Sequence, residues 1–305
     1  LGPELQACGC WDWRGLRLRV SVLLLSIAPT GLANLRGAYA CRAEAADPEP
    51  EAETVEGKGQ DGCGWWPVEQ LAVLFPGYFE GSFLMTATVV QHLDILATYL
   101  AAPHICLEAP HKGAAWKPAI ALHSMGAAWR PGIETGELWR RVAPLVLHAG
   151  TVHLLANTGF QLCVGFNLER HFGSLRFGAL YLATGIFSNV VSVAVDPWKL
   201  AVDPCTSSLG MVGARLALIA VRWANGEPVQ RHSVWFLYLG VVFAGGLFLG
   251  GRTDFFGYLA GCLGGFCLTL SMEPGCPEWV RAAALTVLSG TALVACWELQ
   301  PYESL

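Results

Sequence analysis

Charge is scarce in this chain. Only 14% of its 305 residues are Asp, Glu, Lys or Arg, against about 25% in an ordinary soluble domain. Hydrophobic residues make up 53% and the mean hydropathy is +0.43, which points to a membrane protein with several spans. The eleven cysteines contain no C-x-x-C pair, so no zinc framework or disulfide scaffold is read from them. Cys163, Cys262, Cys267 and Cys296 lie in apolar stretches, where cysteine behaves as a small hydrophobe. No basic run forms a nucleic-acid footprint. His104, His111 and His123 are dispersed, without ligand spacing. No metal, no cofactor and no nucleic-acid partner are expected.

The charge that is present is clustered. Seven acidic residues fall between Glu44 and Asp61, alongside Pro48 and Pro50, so residues 41–80 read as an acidic disordered linker leading into an interfacial segment with Trp65 and Trp66. Arg14, Arg17 and Arg19 precede the apolar run Val20–Ala28, and Ala38-Tyr39-Ala40 fits a cleavage site. Residues 1–40 therefore read as a targeting leader or an amino-terminal anchor.

Residues 81–298 are expected to form the membrane domain and 299–305 a tail. Apolar stretches of membrane length run at Gly81–Ala102, Pro144–Phe166, Leu175–Val195, Thr206–Trp223, Ser233–Gly250, Phe255–Met272 and Val280–Trp297. Short connections make consecutive spans antiparallel, so an all-α helical bundle is expected, with six core spans plus one carboxy-terminal span. The first stretch holds Gln91, His92 and Asp94, and its span is expected to start or end away from them. Arg170, Arg176, Arg222 and Arg231 edge two connections on one side, whereas the opposite short connections hold only Lys199 and Arg252. That bias follows the positive-inside rule.

The densest motif is Gly136-Glu137-x-Trp139-Arg140, then Leu147-His148-Ala149-Gly150-x-x-His153-x-x-x-Asn157, then Gly165, Leu168-Glu169 and Phe172-Gly173. His153 and Asn157 share one helical face. Polar groups inside an apolar span are costly and mark function or a partner. This combination resembles the rhomboid intramembrane serine protease family, over roughly Ala114 to Leu270, about half the chain.

The resemblance implies a serine nucleophile at the start of the fourth span and a histidine base on the sixth. It also implies a histidine and an asparagine on the second span that hold the oxyanion. Ser208 takes the nucleophile position, and Gly213 matches the glycine five residues on. His153 and Asn157 take the oxyanion positions, with His148 one turn earlier. Thr206 and Leu209 stand where the family has two flanking glycines. Gly261 and Gly265 match the sixth-span glycines, but Tyr258 occupies the histidine position. A tyrosine is almost fully protonated near neutrality and makes a poor general base. His232 follows the fourth span and is separated from Ser208 by roughly 20 Å of helix. Lys199 precedes Ser208 in a loop and is a weak candidate base, and His171 is expected to face solvent. Helix N-cap stands beside nucleophile as a role for Ser208.

Scaffold features are retained while chemical groups are missing. The reading is a catalytically degenerate rhomboid-like pseudoprotease that holds transmembrane segments of client proteins in a lipid bilayer. An active serine endopeptidase with a non-standard base, His153 among the candidates, stands as the alternative. A structural subunit of a larger membrane complex is the third. The chain is expected to be a multi-pass integral membrane protein, in the secretory pathway, a plastid or a mitochondrion. Client identity and oligomeric state are not legible.

Overall fold

The computed structural model describes residues 78–79, 81–101, 119–202, 204–229, 231–249 and 254–300. The leader, the acidic linker, the Trp65-Trp66 segment, His104 and His111 lie outside them, as does the side chain of His232. The described elements are α1 (Phe83–Ala101), the short α2 (Ala119–Met125) and α3 (Arg130–Glu134), α4 (Thr151–Phe172), α5 (Ser174–Val195), α6 (Cys205–Ala224), α7 (Arg231–Leu249), α8 (Phe255–Met272) and α9 (Glu278–Glu298). Two 3-10 turns, Leu138–Arg141 and Ala143–Leu145, precede α4. Five of the long helices are apolar enough over a full span to cross a membrane: α1, α5, α6, α8 and α9. The protein is an all-α polytopic bundle.

The second span shifts at both ends, from the expected Pro144–Phe166 to Thr151–Phe172, and the first is not cut short at its polar residues. The second helix starts at Thr151 rather than Pro144, because Pro144 sits in a 3-10 turn and Gly150 breaks the chain before the helix. The first helix runs unbroken through Gln91, His92 and Asp94, and Gln91 and His92 find partners there. Gln91 is 1% exposed. Its amide donates to the Leu145 carbonyl and to the Tyr181 hydroxyl, each at 3.1 Å. Gln161 on α4 donates to Gln91 Oε1 at 2.9 Å and to Thr88 Oγ1 at 2.7 Å. Tyr181 donates to Gln161 Oε1 at 3.2 Å. His92 Nδ1 bonds the Thr88 carbonyl one turn back. Three helices are thus joined by polar groups that hydrocarbon cannot satisfy.

Glu169 closes the other end of this layer. It is fully buried near the carboxy end of α4. Its carboxylate accepts from the Ser82 hydroxyl at 2.6 Å, from Phe83 N–H at 2.6 Å and from Leu84 N–H at 3.2 Å. These are orphan donors at the start of α1, where negative charge is favoured. One residue, Gly173, then turns α4 into α5. Its φ of +78° is open to glycine at little cost.

At the centre stands α6. Every residue from Cys205 to Arg215 is buried, as expected for a helix surrounded by others. It lies closest to α8. A β-carbon on Gly213 would overlap the Cys262 carbonyl, one on Gly261 the Thr206 carbonyl, and one on Gly265 the Gly210 carbonyl. The two backbones touch at three successive levels, and small residues there substitute for side-chain packing.

The connection between α1 and α4 is held by Trp139 and Arg140. Arg140 is 3% exposed. Its Nη1 donates to the carbonyls of His123 (2.8 Å) and Ala127 (3.1 Å), and its Nε pairs with Glu137. The guanidinium carbon sits 4.8 Å from the Trp139 ring centroid. Ala128 then forms a two-bond antiparallel bridge with Ala201, which ties this connection to the segment before α6.

Glu169→Ala leaves three buried or half-buried donors without their acceptor. At about 1–3 kcal/mol for each unsatisfied group, it should lower the unfolding temperature in detergent sharply. Glu169→Gln, which keeps acceptor oxygen, should lower it less. Equal stability of all three forms would remove Glu169 from the account. Gly265→Val should cost at least about 1–3 kcal/mol through overpacking. Gly290→Ala faces open space on α9 and should be neutral or stabilising by up to about 1 kcal/mol. Unfolding curves of the two variants in the same micelle test this contrast.

Candidate active site

The site lies where α4 faces the start of α6. His153 and Asn157 sit one turn apart on α4, and Asn157 is fully buried. His148 is fully buried too, but it stands in the loop before α4, not on the helix one turn earlier. Gly150 separates it from the first helical residue. Asn157 draws it in: the amide Nδ2 donates to His148 Nε2 at 3.3 Å. The His148 and His153 rings meet edge to face at 5.5 Å.

Ser208 is fully buried and lies inside α6. The helix begins at Cys205, and its cap residue is Pro204. Ser208 is therefore not a helix N-cap. Its hydroxyl donates to Asn157 Oδ1 at 2.7 Å, its one side-chain partner among the described residues. A neutral amide oxygen accepts a hydrogen bond but cannot take the proton. That bond also turns the Asn157 amide: its carbonyl faces Ser208, and its NH₂ faces His148. An oxyanion donor would need that NH₂ turned toward the reacting carbonyl.

His153 is directed elsewhere. Its Nε2 lies 2.9 Å from the sulfur of Cys205. Cys205 is fully buried at the first residue of α6, one turn before Ser208 and on the same helical face. The sequence reading missed this pairing, although the three-residue spacing between Cys205 and Ser208 signalled a shared face. Tyr258, 5% exposed, occupies the first turn of α8, the element that carries the base position. Thr206 and Leu209 are both buried at the positions of the expected glycines, and the Thr206 carbonyl meets Gly261.

Lys199 is not a water-exposed loop lysine. Its side chain is 25% exposed, and Nζ lies 3.3 Å from Asp254 Oδ1. Asp254 caps α8 by accepting from Gly257 N–H at 3.1 Å, and its other oxygen accepts from Ser192 at 2.6 Å. The Asp-x-x-Gly spacing before an apolar run was the sequence signal for that cap. His171 does not simply face solvent: Nε2 lies 3.1 Å from Glu273 Oε2.

The rhomboid domain model matches residues 135–274, which hold every site residue named above. Rhomboid-like protease 1 of Toxoplasma gondii is 32% identical over 234 residues, covering 73% of this chain and 76% of that protein. RHOMBOID-like protein 5 of Arabidopsis thaliana is 33% identical over 160 residues, covering 50% and 52%. Rhomboid protease GluP of Bacillus subtilis (strain 168) is 32% identical over 164 residues, covering 53% and 31%. With the helical bundle, the Trp-Arg connection and the glycine contact between α6 and α8, these matches assign the chain to the rhomboid family of multi-pass integral membrane proteins.

Proposed function

We propose that this rhomboid-family member is a pseudoprotease, which binds transmembrane segments of client proteins in the bilayer without cutting them. The observation that carries this reading is the Ser208 hydroxyl, committed to the Asn157 amide oxygen at 2.7 Å. A serine attacks a carbonyl only when a base removes its proton. The base position on α8 holds Tyr258, and the imidazole of His153 contacts Cys205 instead. The parts that shape the bundle remain: Trp139, Arg140, Gly213, Gly261 and Gly265. A cavity between helices can accept a client helix on shape and polar contacts alone, so this retention is what a non-cutting binder needs.

A second reading has one specific observation behind it. A thiol 2.9 Å from an imidazole is the arrangement of a Cys–His nucleophile. In that case Cys205 attacks, His153 takes its proton, and proteolysis runs one turn from the family's serine.

The test is a fluorescent transmembrane reporter reconstituted with the purified chain in liposomes, beside Ser208→Ala, Cys205→Ala and Tyr258→His. The pseudoprotease reading expects no cleavage by any form, with equal crosslinking of the intact reporter to wild type and Ser208→Ala. Cleavage lost in Ser208→Ala makes the chain an active serine protease. Cleavage that survives Ser208→Ala and is lost in Cys205→Ala establishes the thiol reading.

A further inference from the structure

Midway along α6, two turns beyond Ser208, lies a buried charge that the proposed role of Ser208 does not use. Arg215 is 5% exposed. Its Nε and Nη2 are shut off from solvent and meet no hydrogen-bond acceptor among the described residues. Its guanidinium carbon lies 5.1 Å from the Phe236 ring centroid on α7. A ring face attracts the charge but accepts no strong hydrogen bond. A buried cation without an acceptor is among the costliest arrangements in a protein, more so within a membrane.

Beside Arg215 is a cavity of about 60 Å³, lined also by Asn167, His171 and Arg222. Arg215 and Arg222 are seven residues apart on α6, and Asn167 and His171 four apart on α4, so each pair shares one helical face toward the cavity. Arg222 and His171 stand in the last turns of their helices, where the helix dipole favours cations. Of the carboxylates around it, Glu169 serves the start of α1 and Glu273 pairs with His171 at the rim, while Glu227, whose N–H bonds the Arg222 carbonyl, is exposed. Positive donors therefore outnumber acceptors at this spot. Two of its lining residues, His171 and Arg222, stand at the helix ends on the side whose connections are edged by Arg170 and Arg176.

We propose that this cavity is a phosphate-binding site, in which Arg215 and Arg222 hold a phosphate oxyanion with help from His171 and Asn167. Guanidinium forks match phosphate oxygens two at a time. Two sources carry this chemistry at that depth: the headgroup of an anionic phospholipid, and soluble phosphate entering from the aqueous side. The inference is independent of whether Ser208 is active.

The experiment uses the full chain in two settings. In nanodiscs of phosphatidylcholine, with or without phosphatidic acid, thermal unfolding and native mass spectrometry report stabilisation and retained lipid. In a neutral detergent, inorganic phosphate is titrated against the same unfolding signal. The site predicts stabilisation by one or both probes, weakened at least about tenfold in apparent affinity by Arg215→Gln and by Arg222→Gln. Arg222→Gln is the safeguard, since Arg222 is only part-buried and that variant should fold even if Arg215→Gln does not. Stabilisation by phosphatidic acid alone assigns the lipid source, and stabilisation by phosphate in detergent assigns the soluble one. No response to either probe, or equal responses in wild type and Arg222→Gln, overturns the site and leaves a water-filled cavity.

Discussion

The contact on which the rest of the structure depends is backbone against backbone, between α6 and α8. Gly213, Gly261 and Gly265 remove the side chains that would hold these helices apart, and carbonyl oxygens of Thr206, Gly210 and Cys262 occupy the space. In a bilayer there is little hydrophobic force between helices, so close approach must supply the attraction. That approach fixes where the start of α6 lies relative to the start of α8. It thereby sets the turn of α6 that holds Ser208 beside the first turn of α8, which holds Tyr258.

Around that frame, the polar groups inside the bundle come in matched sets. Glu169 meets the start of α1, Gln91 and Gln161 meet Thr88 and Tyr181, and Asp254 meets Ser192, Lys199 and its own helix. Ser208 belongs to the same pattern. Its hydroxyl enters a chain that runs through Asn157 to His148, and each step satisfies a donor that the membrane would otherwise leave unpaired. In the proposed reading this hydroxyl serves as a structural link, whereas a catalytic serine faces a base. Arg215 departs from this pattern: two of its buried guanidinium nitrogens meet no acceptor among the described residues, and the cavity beside it points to a ligand.

Much of this was readable from sequence. The helix order followed from hydropathy, since the last two spans begin and end within two residues of their expected bounds. The motif at Trp139-Arg140, His148, His153 and Asn157 pointed to the region where the structure gathers His148, His153, Asn157 and Ser208. What escaped was set by tertiary contact. Nothing local showed that Gly150 would exclude His148 from α4, or that His153 would turn to Cys205. Nor did the sequence show that an intramembrane Asp94 could lie on an unbroken helix, or that Lys199 would be held by Asp254. The His153–Cys205 and Lys199–Asp254 contacts join residues far apart in the chain, and spacing along one helix carries no information about them.

The central claim is that Ser208 is not an activated nucleophile. Covalent labelling by a fluorophosphonate probe measures this directly, because the probe reacts with a serine oxygen only as its proton is removed. The full chain in liposomes, treated with the probe and digested for mass spectrometry, should carry no adduct at Ser208. An adduct at Ser208 in the wild-type chain, absent when the protein is unfolded before treatment, would contradict the account and require a base other than Tyr258.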